Sequence, residues 1–283
     1  MAKYRKLAAV LAALFLFGGL PVRAVSPLVA ENLELETYRG VAVGGQLAAA
    51  APEGTKLSYQ ITTEPSKGRV ELEADGRFVY TPEEGRRGRD YFGYKVFDEA
   101  GNASQEATVI IQLLKCKAAF RYADTAGLPC DYAAHALAAE GLLQGQRVAG
   151  NFLFEPERSI SRGEFLSLCM SAAGVEPLRS VSSTGCRDDA AIDPWLKPYV
   201  STALLAGYTK KDAVFAGDEV LSRTEAAAML NRIFALTDAP GTSAADEYDR
   251  AVMNLTGSGI PLTLGEAPLT RGEAAMMLAG AMK

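Results

Sequence analysis

Three short motifs in the second half of the chain combine residue types that suit anion binding at a helix start. Each has a hydroxyl residue, an arginine, a variable residue and a glutamate before an apolar run: Ser161–Glu164, Ser222–Glu225 and Thr270–Glu273. The hydroxyl and the glutamate predict a capping box, in which each satisfies a backbone N–H of the first helical turn. Capping leaves the arginine unexplained, because a cation there faces the positive end of the helix dipole at a cost of about 0.3–1 kcal/mol.

Three arginines at the same position of the motif predict a shared task, and they are Arg162, Arg223 and Arg271. The simplest task is to bind an anion that the helix N-terminus already favours. A planar guanidinium holds a carboxylate through two parallel hydrogen bonds, which lysine cannot reproduce. The box glutamates are expected to cap their helices and not to contact a ligand.

The elements ahead of these boxes have the period of strands. Residues 25–115 alternate in short runs separated by turns, and Asp75-Gly76 is a strong hairpin signal. The pattern predicts an all-β Ig-like sandwich. The segments Tyr59–Val70, Asp75–Pro82 and Gly88–Tyr94 resemble bacterial Ig-like or cadherin-like modules of surface proteins, which implies a spacer or adhesive unit. Asp98 with Asn102 is the only hint of calcium, and an exposed turn is the favoured interpretation, so no metal site is predicted.

From Lys117 onward the period becomes helical and the sequence repeats itself. An aromatic-x-Asp opening ends at Asp124, and Cys186-Arg187-Asp188 is its counterpart. Each opening is followed by a helix that ends near glycine, and then by a box. The third unit is shorter and lacks both this opening and a tryptophan, so one groove is expected to be vestigial. The predicted repeats span residues 116–180, 181–238 and 239–283.

This order of opening, helix and box, complete in two units and shortened in the third, resembles the S-layer homology domain. The resemblance implies an all-α (mainly helical) three-repeat pseudo-trimer after the β-sandwich, with one helix of each repeat in a central bundle and grooves between repeats. It also implies non-covalent attachment to secondary cell-wall polysaccharide of Gram-positive bacteria, often through a pyruvylated sugar. Seven residues are the implied ligand contacts: Arg162, Arg223, Arg271, Trp195, Tyr132, Asp124 and Asp188.

Several of these contacts also have a purely structural interpretation. Trp195 would offer a flat face to a sugar ring, or it packs in the core. Tyr132 takes the equivalent place in the first repeat. Asp124 and Asp188 would orient an arginine or accept a sugar hydroxyl, but turn or cap roles are commoner for such aspartates.

The first 24 residues are expected to be a secretory signal peptide. Basic residues precede an apolar stretch from Leu7 to Leu20, which is too short to cross a bilayer. Removing this segment takes away four basic residues and changes the formal charge from -5 to -9. An acidic exported chain argues against nucleic acid as a partner and against membrane insertion after cleavage. It predicts a secreted protein of the cell wall or cell surface.

Four cysteines, Cys116, Cys130, Cys169 and Cys186, allow three disulfide pairings, and the short loops Cys116–Cys130 and Cys169–Cys186 are favoured. Zinc is less favoured, because no pair has close ligand spacing.

The sequence predicts no catalytic residue and no cofactor. The only histidine, His135, lies in an alanine-rich helix, and there is no nucleophile elbow or phosphate-binding glycine loop. The predicted function is a non-catalytic surface protein held on wall polysaccharide. The alternative is a surface interaction component, in which the β module binds a protein and the repeats are scaffold.

Overall fold

A computed structural model of the chain describes residues 28–52, 54–116, 120–209, 214–236, 246–257, 260 and 265–282. The predicted signal peptide, residues 1–24, lies outside these ranges and stays a prediction. The described residues divide into a β-sandwich-like region followed by a mainly helical part, as the change of sequence period predicts.

Nine strands build the N-terminal region, here called the β module. They are β1 (Val29–Ala30), β2 (Leu33–Tyr38), β3 (Val43–Gln46), β4 (Ala49–Ala50), β5 (Ser58–Thr63), β6 (Gly68–Leu72), β7 (Arg77–Pro82), β8 (Gly88–Phe97) and β9 (Ala107–Leu114). One sheet has the order β2-β9-β8-β5 and a second has the order β3-β7-β6, while β1 pairs with β4. Only the β2–β9 pair is parallel among these pairings.

Alternating burial explains why these segments form two facing sheets. In β9 every second residue from Ala107 to Leu113 is buried, as a strand with one core face requires. The cores of the two sheets meet where the Phe78 and Phe92 rings lie edge to face, 5.2 Å apart. The predicted hairpin is confirmed, since Gly76 adopts φ 87° between the antiparallel strands β6 and β7.

A buried carboxylate, Asp90 of β8, ties the two sheets together. It accepts hydrogen bonds from the Tyr80 hydroxyl at 2.8 Å and from the backbone N–H groups of Ser66 and Lys67 at 3.0 and 2.9 Å. Burial alone would raise the pKa of Asp90, but these hydrogen bonds and one from the Ser66 hydroxyl hold it below its usual value. The carboxylate is therefore part of the architecture of the module.

The C-terminal part contains six helices and one small hairpin. The helices are α1 (Asp131–Ala139), α2 (Arg162–Ala172), α3 (Lys197–Ala206), α4 (Arg223–Phe234), α5 (Glu247–Gly257) and α6 (Arg271–Ala281). The hairpin, β10 (Gln146–Val148) with β11 (Asn151–Leu153), was not predicted. One hydrophobic core, separate from that of the β module, spans all of the helices. Within the described ranges, no helix has the length and apolarity that crossing a membrane requires.

Three backbone hydrogen bonds join the segments ahead of the boxes into a closed ring. Ile160 N–H donates to Leu269 O at 3.1 Å, Leu269 N–H to Leu221 O at 2.8 Å, and Leu221 N–H to Ile160 O at 3.2 Å. Each of these residues lies two positions before a box arginine. The three boxes therefore meet around one centre in cyclic order.

The first residue of each box helix also donates its N–H to the loop before the next box. The acceptor lies four residues ahead of the next arginine in all three cases. These pairs are Arg162 with Glu219, Arg223 with Ala267, and Arg271 with Arg158, at 2.9, 3.2 and 2.7 Å. Each box is therefore completed by the following unit in the cycle, because backbone N–H groups at a helix start need acceptors from outside the helix.

The edge strand β3 docks on the start of α1. Gly44 N–H donates to Pro129 O at 2.9 Å, and Tyr132 N–H donates to Ala42 O at 2.9 Å. The Asp131 carboxylate accepts the Ala42 N–H at 3.3 Å. A Cβ on Gly44 would lie 2.8 Å from the Pro129 side chain, so glycine is required for this close approach. The helical part thus covers a sheet edge that would otherwise be open.

Candidate functional site

All three predicted capping boxes are confirmed. In each, the hydroxyl side chain accepts the backbone N–H of the glutamate, and that glutamate accepts the backbone N–H of the cap residue. The cap residues Ser161, Ser222 and Thr270 are extended, with ψ of 159–161°, so the chain enters each helix in the same way. Each of the three arginines is therefore the first residue of its helix and follows a cap residue of the same conformation.

Two of the arginines pair with the box glutamate of the following repeat. Arg162 Nη2 lies 2.9 Å from Glu225 Oε1, and Arg223 Nη2 lies 2.7 Å from Glu273 Oε1. A nearby carboxylate offsets the unfavourable helix dipole, so the position of the arginine has a structural explanation that the sequence did not reveal. The arginines join successive repeats whether or not they also bind a ligand.

These ion pairs leave part of each guanidinium without an acceptor. The Nε atoms of Arg162 and Arg223 are buried, and neither has a hydrogen-bond partner in the described part of the chain. An unsatisfied buried donor costs roughly 1–3 kcal/mol. A turn of the side chain that gave acceptors to Nε and to Nη2, the two donors on the same edge of the guanidinium, would recover this energy. Both arginines are therefore suited to a ligand oxygen pair.

Arg271 is arranged differently and is turned into the protein. It is 8% exposed, and its Nε and Nη2 donate to Phe154 O and Gln144 O at 2.8 and 2.5 Å. Its guanidinium carbon lies 4.8 Å from the centre of the Phe154 ring. Glu164, the box glutamate of the first repeat, pairs instead with Arg158 of its own repeat, at 3.1 Å. Of the three predicted ligand arginines, Arg271 is the one occupied by internal contacts.

Trp195 is exposed beside the first box and does not pack in the core. It is 52% exposed, and its Nε1–H donates to Asp193 Oδ2 at 3.2 Å. Its neighbour Leu196 packs directly on Gly163, which follows Arg162, and leaves no space for a Cβ there. Val220 pairs with Ser161 across an isolated bridge and is 50% exposed. Leu196 and Gly163 are buried at this contact. We call the surface around it, formed by Arg162, Trp195 and Val220, the Arg162 groove.

The groove combines residues of two repeats, and the counterpart of Leu196 in the first repeat packs on the third box. Cys130 contacts Gly272 of the third box in the way that Leu196 contacts Gly163 of the first. Pro129, which precedes Cys130, therefore holds the position next to the third box that Trp195 holds next to the first. Strand β3 covers it.

Tyr132 lies instead at the boundary with the β module. Its ring centre is 5.2 Å from that of Tyr38, and burial raises its pKa to about 12. Its role as a ligand contact stays a prediction.

The two opening aspartates hold loops in place. The Asp124 carboxylate accepts the N–H groups of Phe154 and Glu155, and Asp188 accepts those of Phe215 and Ala216, all at 2.7–3.0 Å. Burial would raise the pKa of Asp188, but these backbone hydrogen bonds hold it below its usual value. The matched geometry supports the turn role weighed for both residues; their role as sugar contacts stays a prediction.

The predicted disulfides Cys116–Cys130 and Cys169–Cys186 are not formed, and all four cysteines are free. Cys130 and Cys169 pack as small apolar residues in the helical core. Burial raises the pKa of Cys130 to about 12 and that of Cys169 well above its usual value. Such thiols stay protonated at neutral pH and are poor nucleophiles.

His135 is a packed helix residue, as expected. It is 1% exposed. Its Nδ1 lies 2.8 Å from Asp131 O, and its Nε2 accepts the Tyr122 N–H at 3.3 Å. Its ring nitrogens are therefore engaged inside the protein, away from solvent.

Comparisons with known proteins bear mainly on the β module. No curated protein is significantly similar in sequence to the chain. An endo-fucoidan hydrolase of glycoside hydrolase family 107 is 16% identical in structure alignment, with a TM-score of 0.25. The alignment covers 29% of this chain and 12% of the hydrolase.

A SusE-like surface-located polysaccharide-binding protein from Bacteroides thetaiotaomicron is 12% identical, with a TM-score of 0.25. The alignment covers 35% of this chain and 16% of that protein. The M1 domain of titin is 16% identical, with a TM-score of 0.19. The alignment covers 32% of this chain and 97% of the titin domain. The chain spans less than a fifth of the first two proteins, and at these scores the likenesses carry no functional argument. In sequence, residues 24–115 match the bacterial cadherin-like domain, which supports the Ig-like assignment of the β module.

Proposed function

We propose that this protein is a non-catalytic, exported protein of the bacterial cell surface that binds secondary cell-wall polysaccharide through the Arg162 groove. The observations that carry the proposal are the unused donors of Arg162 and the exposed indole of Trp195, whose neighbour Leu196 packs on the glycine that follows Arg162. An acidic sugar, such as a pyruvylated one, would place its carboxylate on Arg162 and its ring on Trp195. Bidentate carboxylate binding and ring stacking are the two interactions that these side chains provide best.

The cyclic order of the boxes supports the three-repeat S-layer homology architecture that the sequence resembles. Three equivalent ring bonds and three equivalent helix-start bonds are what a pseudo-trimer of such repeats would contain. Within it, the Arg162 groove is the open one. Arg271 donates to internal carbonyl groups. Arg223 instead lines a cavity between the β module and the third box.

Co-sedimentation of the mature chain, from residue 25, with protein-free Gram-positive cell walls tests the proposal. Arg162→Ala and Trp195→Ala should each weaken binding about tenfold or more, the scale of one lost charged hydrogen bond. Arg158→Ala is the matched control, because it removes the same charge and an ion pair to a box glutamate while lying outside the box itself. Walls stripped of secondary polymer should not bind. Equal binding by all variants, or to stripped walls, would contradict the proposal.

A second candidate function rests on the β module. Its match to the bacterial cadherin-like domain favours a surface or adhesion role, and Tyr91 on β8 is 60% exposed. In this case the module binds a partner protein and the repeats serve as scaffold. Wall attachment that survives both Arg162→Ala and Trp195→Ala but is lost with Tyr91→Ala would favour it.

A further inference from the structure

A cavity of about 210 Å³ lies between the β module and the third box. Strands β3 and β7 form one wall, and the start of α6 forms the other. The loops around Pro129 and Pro156 close the ends. Because both domains contribute, the space exists only in the docked arrangement.

The walls of this interdomain cavity are mostly apolar and its size is small. Val79, Pro129, Pro156, Met276 and Met277 line it. Ligand pockets for drug-sized molecules usually measure about 300–1,000 Å³. This cavity is smaller, so it suits a ligand of about one ring that has an apolar face.

Three carboxylates and two guanidinium groups also line the cavity. Arg77 is paired with Glu73 at 2.6 Å, and Arg223 with Glu273 at 2.7 Å. Glu157 has no hydrogen bond or ion pair to any residue that the structure describes. The paired charges cancel, which leaves one carboxylate in excess. An anion is therefore disfavoured here, in contrast to the Arg162 groove.

Two kinds of polar group remain available to a ligand. Arg223 uses Nη2 for Glu273, and its Nε finds no acceptor among the described residues. The guanidinium therefore has unused hydrogen-bond donors, while the Glu157 carboxylate is an unused acceptor. A ligand that both accepts and donates hydrogen bonds around an apolar ring face meets these requirements together, and hydroxyl groups do both.

We propose that the interdomain cavity binds a single uncharged sugar residue. Its hydroxyls would accept from Arg223 and donate to Glu157, and its C–H face would lie against the prolines and methionines. The cavity shares no residue with the Arg162 groove. The chain would therefore hold an acidic sugar in one place and an uncharged one in another, with the β module taking part directly in the second.

Nuclear magnetic resonance of the mature chain with ¹³C-methyl-labelled methionine tests this proposal, because Met276 and Met277 line the cavity. The probes are glucose, mannose, galactose and N-acetylglucosamine, with glucuronate as the acidic counterpart of glucose. At least one uncharged sugar should shift both methyl signals in a saturable way, and glucose should bind no more weakly than glucuronate. Met276→Leu assigns the signals.

Variants then locate the site. Val79→Trp, which fills the cavity from β7, should abolish the shifts, and the control Tyr91→Trp on exposed β8 should leave them unchanged. Arg223→Lys keeps the charge but loses the guanidinium donors, and should weaken binding about tenfold. Trp195→Ala, which disables the Arg162 groove, should leave the methyl shifts intact. No shift with any uncharged sugar, tighter binding of glucuronate, or unchanged shifts in Val79→Trp would each overturn the proposal.

Discussion

At the scale of single residues, the box glutamates serve two neighbours at once. Glu225 Oε2 accepts the Ser222 N–H at 3.1 Å, and its Oε1 accepts Arg162 Nη2 at 2.9 Å. Burial would raise the pKa of Glu225, but these partners hold it below its usual value. One side chain therefore caps its own helix and positions the arginine of the preceding repeat, so binding and stability are linked at this point.

Removal of the Arg271 side chain should affect stability more than wall binding. Arg271→Ala leaves the Phe154 and Gln144 carbonyls without their charged donor. We expect a loss of about 1.5–3 kcal/mol in the free energy of unfolding, measured by urea denaturation. Wall binding should fall less than in Arg162→Ala when the folded proteins are compared. A stable Arg271→Ala protein that no longer sediments with walls would show that this arginine contacts the ligand.

The Asp90 carboxylate should make the β module sensitive to acid. Its pKa is lowered in the folded state, so it stabilises the fold above its unfolded pKa of about 4. This contribution is lost as the pH falls through the folded value. Calorimetry between pH 7 and pH 2 should show a steeper fall in the melting temperature of the wild type than of Asp90→Asn below about pH 4. Parallel curves for the two proteins would mean that other carboxylates dominate.

Residue types predicted the caps well, but not the protein contacts of the predicted site residues. A capping box is local, so Ser161 and Glu164 determine it within one helical turn. The partners of Asp124 and Tyr132 lie far away in sequence, at Phe154 and in the β module. No local pattern encodes such contacts, because they depend on how separate elements pack.

At the scale of elements, the main result is that each box packs on the unit that follows it in the cycle. The resemblance implied grooves between repeats, but not which residues of neighbouring repeats meet. The structure packs Leu196 of the second repeat on the box of the first. Helix positions follow from the 3.6-residue period, but the choice between packing partners is a long-range property that this period does not record.

The glycine after Arg162 should be essential to this packing. A Cβ at Gly163 would overlap the Leu196 side chain and lie 3.2 Å from Gly217 O. We expect Gly163→Ala to lower the free energy of unfolding by about 1–3 kcal/mol through overpacking, as measured by thermal or urea unfolding. Thr224 holds the same position in the second box and accommodates a side chain. Thr224→Ala is therefore the control, and an equal loss there would show that box helices tolerate no change at this position.

At the scale of the whole molecule, the two domains meet through a backbone-to-backbone contact. Gly44 and Tyr132 exchange main-chain hydrogen bonds with the opposite domain, and Asp131 adds a carboxylate. The sandwich and the helical part were each predictable from their hydrophobic periods. Their docking was not, because it depends on the open edge of β3 and on one glycine.

A side chain at Gly44 should separate the domains. Gly44→Val would collide with Pro129 and remove the close approach of β3 to α1. In calorimetry we expect the wild type to unfold in one transition and Gly44→Val to unfold in two, since the domains would lose their coupling. A single unshifted transition would mean that the contact contributes little to cooperativity.

The most direct test of wall binding uses the single tryptophan of the chain, Trp195, which is exposed in the Arg162 groove. Its fluorescence emission is followed while secondary polymer released from cell walls is added to the mature chain. We expect a saturable change in emission that is lost in Arg162→Ala and retained in Arg158→Ala. Polymer that binds the protein without changing Trp195 emission, or that gives the same titration in Arg162→Ala, would contradict the assignment of the groove.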